Sequence, residues 1–189
     1  MPSDPDKVGA LVTSNTAIHT AELDHIPQIV EIAQHFTTEG IPSAEAVERG
    51  FLVSRFTADD YRDLLQRAEH AYVASVAGEV VGFVIAYSSD QIQDDEWLNS
   101  MIKARHSDPF VIIKQVAVRS GHLSRGIASA LYAHLMRTVT GVPFFAAVVL
   151  DPPNRKSIAL HEKHGFRMEF DVTPPDGLPR GVFRRHPTK

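Results

Sequence analysis

The segment Phe110–Val118, apolar and rich in β-branched residues, runs into a short loop of small and polar residues, Ser120-Gly121-His122-Leu123-Ser124-Arg125-Gly126. Beyond the loop, Ile127, Ala130, Leu131, His134, Leu135 and Val139 recur at helical spacing. A second strand of buried character follows at Pro143–Leu150. Strand, small-residue loop and helix in this order point unpaired backbone N–H groups, and the positive end of a helix, at an anion. The unit commits the chain to an α/β fold. If the loop binds a pyrophosphate, the remainder is a scaffold and a substrate pocket built around it.

The loop is not one of the common phosphate cradles. It has no Gly-Lys-Ser/Thr and no G-x-G-x-x-G. What it has is Gly126-Ile127-Ala128 entering a helix, two small residues that let a ligand approach the backbone around one apolar anchor. An anionic group at such a helix start gains roughly 0.3–1 kcal/mol. Taken alone, the loop reads equally well as a tight turn in an α/β core.

The rest of the chain reads as alternating strands and helices. Ala17–Glu22 alternates weakly as a first strand, and Asp24 is placed to cap a helix bearing Ile26, Ile29, Val30, Ala33 and Phe36 on one face. Glu39-Gly40-Ile41-Pro42 ends that helix, and Ser43–Arg49 forms a short second one closed by Gly50. Thr57-Ala58-Asp59-Asp60 is a capping box with Asp in the usual Glu or Gln position, ahead of a stripe of Tyr61, Leu64, Leu65 and Ala68. A hairpin follows: Ala71–Val76, a turn at Ala77-Gly78-Glu79, and Val80–Tyr87. Its second strand is apolar on both faces and belongs inside a sheet. The insertion Ser88–Pro109 is acidic at Asp94-Asp95-Glu96 and carries Trp97, Leu98, Met101 and Ile102 at helical spacing. It is either a surface helix with one buried stripe or a wall over an active site. After Pro143–Leu150 come a break at Asp151-Pro152-Pro153-Asn154, a helix from about Arg155 to Lys163, and Gly165 suited to the left-handed position that ends it. Strands at Arg167–Val172 and Gly181–Arg185 close the chain.

The totals restrict the partners. A formal net charge of −4 gives no basic field for nucleic acid or an anionic membrane. No apolar run approaches the roughly 20 residues that span a bilayer. Met1–Ser14 is a polar tail without the apolar core of a signal peptide. With no cysteine there is no disulfide, no Cys nucleophile and no Cys-ligated metal, and no metal is expected. The expected compartment is the cytoplasm. With no internal repeat and no dividing linker, one domain over residues 15–186 is expected after the tail at 1–14.

Two runs carry a family resemblance. Val116-Ala117-Val118-Arg119-Ser120-Gly121-His122-Leu123-Ser124-Arg125-Gly126-Ile127-Ala128-Ser129-Ala130-Leu131 resembles the acetyl-CoA motif of the GNAT superfamily of N-acetyltransferases, Arg/Gln-x-x-Gly-x-Gly/Ala after a strand. Asp151–Phe166 is similar to the family's next motif, in which an Asn precedes a helix ending in Tyr-Glu-Lys-x-Gly-Phe. The hairpin with Val81-Gly82-Phe83 and the helix after Asp24 match weaker landmarks, so the resemblance reaches back to about Ala17. It implies a mixed sheet of six to seven strands flanked by helices, with two strands splayed into a slot for coenzyme A.

The resemblance further implies an enzyme that moves an acetyl group from acetyl-CoA to a primary amine, on a small molecule or a peptide, by direct attack. Val116, Ala117 and Val118 would pair with the pantetheine arm, and the N–H groups of Ser124, Arg125, Gly126, Ile127, Ala128 and Ser129 would hold the pyrophosphate. Asn154 would contact the pantetheine side, and Arg155 or Lys156 a CoA phosphate. Many domains of this fold pair as homodimers. The sequence departs from the pattern in three places. Leu123 holds the Arg/Gln position but keeps the backbone donor. His161 replaces the Tyr thought to protonate the departing thiolate; an imidazole titrating near pH 6.5 can donate a proton, or His161 is a polar helix residue only. Lys114 and Gln115 stand where a carboxylate base is often found. Glu39, Asp94, Asp95, Glu96 or a water chain would supply the base, or the amine arrives neutral. These gaps motivate a rival: an acyl-CoA-binding sensor or interaction module with little turnover. A weaker one keeps the fold and uses another acyl donor.

Overall fold

The strand that is apolar on both faces lies inside a sheet. In a computed structural model describing residues 16–39 and 42–187, every residue from Val80 to Tyr87 is buried within β3 (Glu79–Ser88). The expected tail Met1–Ser14 and the Gly40-Ile41 pair lie outside the described residues. Strand β3 is flanked by β2 (His70–Val76) and β4 (Val111–Val118), both antiparallel to it. The β2–β3 turn is tight because Ala77 and Gly78 both take positive φ, 51° and 83°, a twist that matches the strands it joins. With β1 (Thr16–Thr20), β5 (Phe144–Val149), β6 (Arg167–Val172) and β7 (Arg180–Arg185), the seven-stranded order is β1-β2-β3-β4-β5-β7-β6. Six to seven strands were expected, and seven form. Among these neighbours only β4 and β5 run parallel.

Two apolar layers cover the sheet. On one face α1 (Ile26–Phe36), α3 (Ala58–Arg67) and α4 (Trp97–Arg105) bury Ile29, Tyr61 and Ile102 against Phe83, Ile85, Ile112 and Phe145. On the other, α5 (Ile127–Thr138) and α6 (Arg155–Lys163) pack Leu131, Tyr132, Leu135 and Ile158 onto Val84, Ile113, Ala146 and Val148. The short helix α2 (Ala44–Arg49) joins a smaller cluster with Phe51 and Val149. Among the described residues no helix is long and apolar enough to cross a membrane.

Local chemistry sets the helix ends. Thr57 Oγ1 accepts from the Asp60 N–H and the Asp60 carboxylate accepts from the Thr57 N–H, the reciprocal box expected at α3. At the end of α6 the Phe166 N–H donates to the His161 carbonyl and the Gly165 N–H to the Glu162 carbonyl, each at 3.0 Å, with Gly165 at φ 81°. Asp24 does not cap α1. It sits inside a 3-10 turn, Leu23–His25, because the Glu22 N–H donates to His25 Nδ1 at 2.9 Å and draws the chain into an earlier turn.

The decisive feature is that β4 and β5 separate. They pair only at Val111↔Phe144 and Ile112↔Phe145. Two residues further on, β4 carries a bulge: Ile113 pairs with Ala86 and Gln115 with Ile85, and Lys114 is the extra residue between them. A bulge bends its strand and sharpens its twist. Here the bend opens the sheet towards Val118 on one side and Val149 on the other. Gly82 lets α5 seat beside this opening. A Cβ at Gly82 would stand 3.1 Å from the Ala117 carbonyl and 3.2 Å from Ile127 Cγ2. Gly82→Val should therefore cost about 1–3 kcal/mol by overpacking, read as a lowered urea midpoint. Gly121→Ala, with nothing within 4 Å of its new Cβ, should leave the midpoint unchanged. Equal midpoints for both variants would mean that α5 does not need this close approach.

Candidate active site

The opening between β4 and β5 continues as one cavity of about 680 Å³. It is lined by Ile112–Val118 and Ala146–Val149 in the split, by His122–Ser124, Gly126–Ser129 and Tyr132 from the loop and α5, and by Asn154, Lys156, Ser157, Leu160 and His161 from α6. Its far wall is Phe36, the Arg49–Ser54 segment and Glu96–Asn99. Beyond the two paired residues, the facing edges of β4 and β5 have no ladder partner in each other. An extended polar chain laid there would find the hydrogen bonds of an added strand.

One end of the cavity is the start of α5. Gly126 is its N-cap, at φ 80° in the left-handed region, where a side chain would be strained. The first intrahelical bond runs from the Ala130 N–H to the Gly126 carbonyl at 2.9 Å, and no side chain caps the turn. The N–H groups of Ile127, Ala128 and Ser129 therefore remain for a ligand. Ser124, just before, is also at positive φ, 60°. The ring nitrogen Nδ1 of His122, on the same wall, is buried with no partner. Orphan backbone donors, a buried orphan imidazole nitrogen and two unpaired strand edges in one cavity fit a long ligand with an anionic end.

On α6 the sequence-predicted side chains are already employed. Asn154 Oδ1 accepts from the Ser157 N–H at 3.3 Å, and Nδ2 donates to the Phe51 carbonyl at 2.8 Å. Asn154 thus caps α6 and ties it to the 49–54 segment. His161 is 3% exposed. Its Nδ1 lies 2.7 Å from the Ser157 carbonyl, which can only accept, so Nδ1 carries the hydrogen. Nε2 is then the acceptor for the Tyr132 hydroxyl at 3.0 Å. Burial lowers the His161 pKa to about 4, against the opposing effect of the Ser157 bond. At neutral pH His161 is a neutral acceptor. Tyr132 is fully buried and its pKa is raised by burial, so its hydroxyl keeps its proton.

The far wall holds a polar cluster. The Glu96 side chain is 8% exposed, and its Oε1 receives Lys114 Nζ at 2.7 Å, Arg67 Nη2 at 3.0 Å and the Tyr87 hydroxyl at 2.6 Å. Burial alone would raise this carboxyl, but the Lys114 ammonium and the Lys114, Tyr87 and Gln93 hydrogen bonds hold it down at about 2. Asn99 donates to the Tyr87 oxygen at 2.9 Å, and Tyr61 donates to Gln115 Oε1 at 2.5 Å. The Lys114 bulge turns both Lys114 and Gln115 towards this face.

Of the residues singled out in the sequence, Val116, Ala117, Val118, Leu123, Ser124, Gly126, Ile127, Ala128, Ser129, Asn154, Lys156 and His161 line one cavity. Arg125 does not; it is exposed beside it. Of the carboxylates considered for a base, Asp94 and Asp95 are exposed and Glu39 pairs with Arg55, whereas Glu96 faces inward. Sequence reasoning missed Tyr132, Arg49 and the Pro174, Asp176 and Arg180 wall. Tyr132 could have been found as the one hydroxyl-bearing member of the buried face of α5.

The layered mixed sheet with one split parallel pair is the α/β arrangement that the family resemblance implies. The chain belongs to the acetyltransferase (GNAT) family, whose sequence profile matches residues 28–166. Phosphinothricin N-acetyltransferase of Streptomyces viridochromogenes is 32% identical over 114 residues, 58% of this chain and 55% of that protein. Aminoglycoside N(6′)-acetyltransferase type 1 of Klebsiella pneumoniae is 28% identical over 117 residues, 60% and 55% of the two chains. The match thus spans about half the length of these relatives. The fold is shared with Ard1 from Thermoplasma volcanium at a TM-score of 0.66 and 18% identity, over 93% of this chain and 99% of that one. It is shared also with Arabidopsis thaliana Naa50, solved with the bisubstrate analogue CoA-Ac-MVNAL, at 0.61 and 14% over 90% and 98%.

The buried imidazole has a consequence for acid stability. Its folded pKa lies below the unfolded value near 6.5, so the unfolded chain takes up a proton first as pH falls. Stability from this group is complete above about pH 6.5 and is lost as pH falls towards 4. Denaturant titrations from pH 7 to 4 should show this loss, and His161→Leu should reduce the proton uptake on unfolding by close to one. An unchanged pH slope in the variant would mean that His161 titrates normally.

Proposed function

We propose that residues 15–186 form one acetyltransferase domain that moves the acetyl group of acetyl-CoA to a primary amine by direct attack. The observation that carries this reading is the joining, in one cavity, of the β4–β5 split with the uncapped start of α5. A volume of about 680 Å³ lies within the usual range for ligand sites. Family membership and relatives that are themselves named N-acetyltransferases support the same chemistry.

In this reading the N–H groups of Ser124 and Gly126–Ser129 hold the pyrophosphate, and the free edge of β4 at Val116–Val118 pairs with the pantetheine arm. Arg125, exposed beside the loop, adds its backbone N–H and charge at the rim, and Lys156 meets a phosphate. Acetyl-CoA, when bound, supplies a thioester whose carbonyl carbon bonds to the amine nitrogen as its bond to sulfur breaks, so that the amine loses a proton and the sulfur gains one. Backbone donors on β4 are placed to hold the carbonyl oxygen as it gains charge. The proton for the sulfur comes from the Tyr132 hydroxyl, which turns from His161 Nε2 to the sulfur to deliver it and is reprotonated by the proton that the amine gives up. His161 positions that hydroxyl through Nε2 and does not itself donate, since its one hydrogen faces the Ser157 carbonyl.

One observation favours a second reading. Among the described residues no cavity carboxylate is poised as a base: the pKa of Glu96 is held down at about 2, and Asp176 pairs with Arg180 at 2.6 Å. An acyl-CoA-binding module with little turnover would need none. Thermal unfolding with acetyl-CoA, CoA and ATP, followed by thiol release over a panel of amines, separates the two. Stabilisation by acetyl-CoA and CoA with thiol release on at least one amine is expected. Stabilisation without release on any amine means the module reading is right, and no stabilisation by either CoA species removes both. Tyr132→Phe should lower turnover by 10²-fold or more, on the order of a lost general acid, with CoA affinity little changed. His161→Phe should also lower turnover at little cost in CoA affinity, and His161→Gln, which keeps an acceptor for Tyr132, should recover part of it. Full turnover in Tyr132→Phe beside a dead His161→Phe would return the donor role to His161.

A further inference from the structure

A cavity that takes a thioester must still select its amine, and the charges on the wall opposite α5 and α6 bear on that choice. Lys114 and Arg67 share a single carboxylate oxygen of Glu96, at 2.7 and 3.0 Å. Two cations against one anion leave that cluster with one positive charge in excess. Arg180 and Asp176 pair at 2.6 Å and cancel. Arg49, at the end of α2, adds a second excess charge. Among the described residues its one ion pair is with Glu45 at 3.6 Å, and the Glu45 side chain is 85% exposed, so solvent screens it. The Nε of Arg49 is buried with no hydrogen-bond partner, while the guanidinium stands 5.8 Å from the Phe36 ring centroid on the cavity wall.

A buried guanidinium N–H without an acceptor is costly until a ligand supplies one. The group that answers a guanidinium fork is a carboxylate or a like oxyanion. The same positive excess disfavours an ammonium in the pocket and favours the free amine, which suits a cavity without a poised carboxylate base. Polyamines would bring several charges of the wrong sign against Arg49 and Lys114.

We infer that the acceptor is a small amine that carries its own carboxylate or equivalent oxyanion, of the amino-acid class, with the anion seated on Arg49. This rests on the acetyltransferase reading of the cavity. The test uses the full-length protein, acetyl-CoA, and L-α-amino acids paired with their carboxamides, with thiol-release rates expressed per free amine. The acid of each productive pair should be favoured roughly 10- to 100-fold in kcat/KM, the scale of one charge-assisted hydrogen bond. Arg49→Gln should bring that ratio close to one, and Arg49→Lys should retain part of it. Equal use of acid and amide, a polyamine as the best acceptor, or a ratio that survives Arg49→Gln would each overturn the assignment. Thermal shifts in the presence of CoA keep the two levels apart. A shift with the acid and none with the amide, in the absence of any thiol release, removes the transferase reading and retains the anion seat. Turnover of amides with no acid-specific shift removes the anion seat and retains the transferase.

Discussion

Two parallel strands that stop pairing after two residues create a demand that the rest of the molecule is arranged to meet. Beyond Ile112 and Phe145, the inner edges of β4 and β5 carry peptide groups that a continuous sheet would have satisfied. Leaving such groups in an apolar interior is expensive. A sheet split in this way persists only if water or a ligand occupies the gap. The Lys114 bulge starts the separation, and β7 holds β5 from the other side along its full length, from Phe144↔Arg185 to Val149↔Arg180. The split is therefore built into the pairing and does not depend on loops.

The bulge also has an electrostatic side. Turning Lys114 towards the sheet face of α1 and α3 buries most of an ammonium, which needs a counter-charge. Glu96 supplies it, and Arg67 and Tyr87 complete its shell. Strand geometry, the placing of the 88–110 insertion and the charge of the far wall thus follow from one extra residue in β4. On the opposite face, Tyr132 and His161 satisfy each other where α5 and α6 meet, close to where the split widens.

What was legible in the sequence was local. The Thr57–Asp60 box, the Ala77-Gly78 turn and the Gly165-Phe166 helix end each depend on residues within a few positions of one another, and side-chain chemistry decides them. The α5 loop was legible because a strand, a small-residue turn and a helix occur in unbroken order, whereas the splaying of the two strands followed only from the family resemblance. Asp24 misled because the neighbouring His25 imidazole accepts from the Glu22 N–H and starts the helical turn before Asp24. Glu96 was indistinguishable from Asp94 and Asp95 because its inward orientation is set by Arg67 and Lys114, remote in sequence. Tyr132 was masked by its place on an apolar helix face, where its ring packs in the core and its hydroxyl meets His161. His161 stood out as a departure from a motif, but only the direction of its two hydrogen bonds reveals that it accepts from Tyr132.

The central claim is that the β4–β5 split and the start of α5 form one binding surface for coenzyme A. Backbone amide NMR during a CoA titration tests it residue by residue. Shifts that saturate together are expected at Val116, Val118 and Ser124–Ser129, with β1 and the β2–β3 turn unmoved. Saturable shifts confined to other parts of the chain, with these amides unchanged, would contradict it.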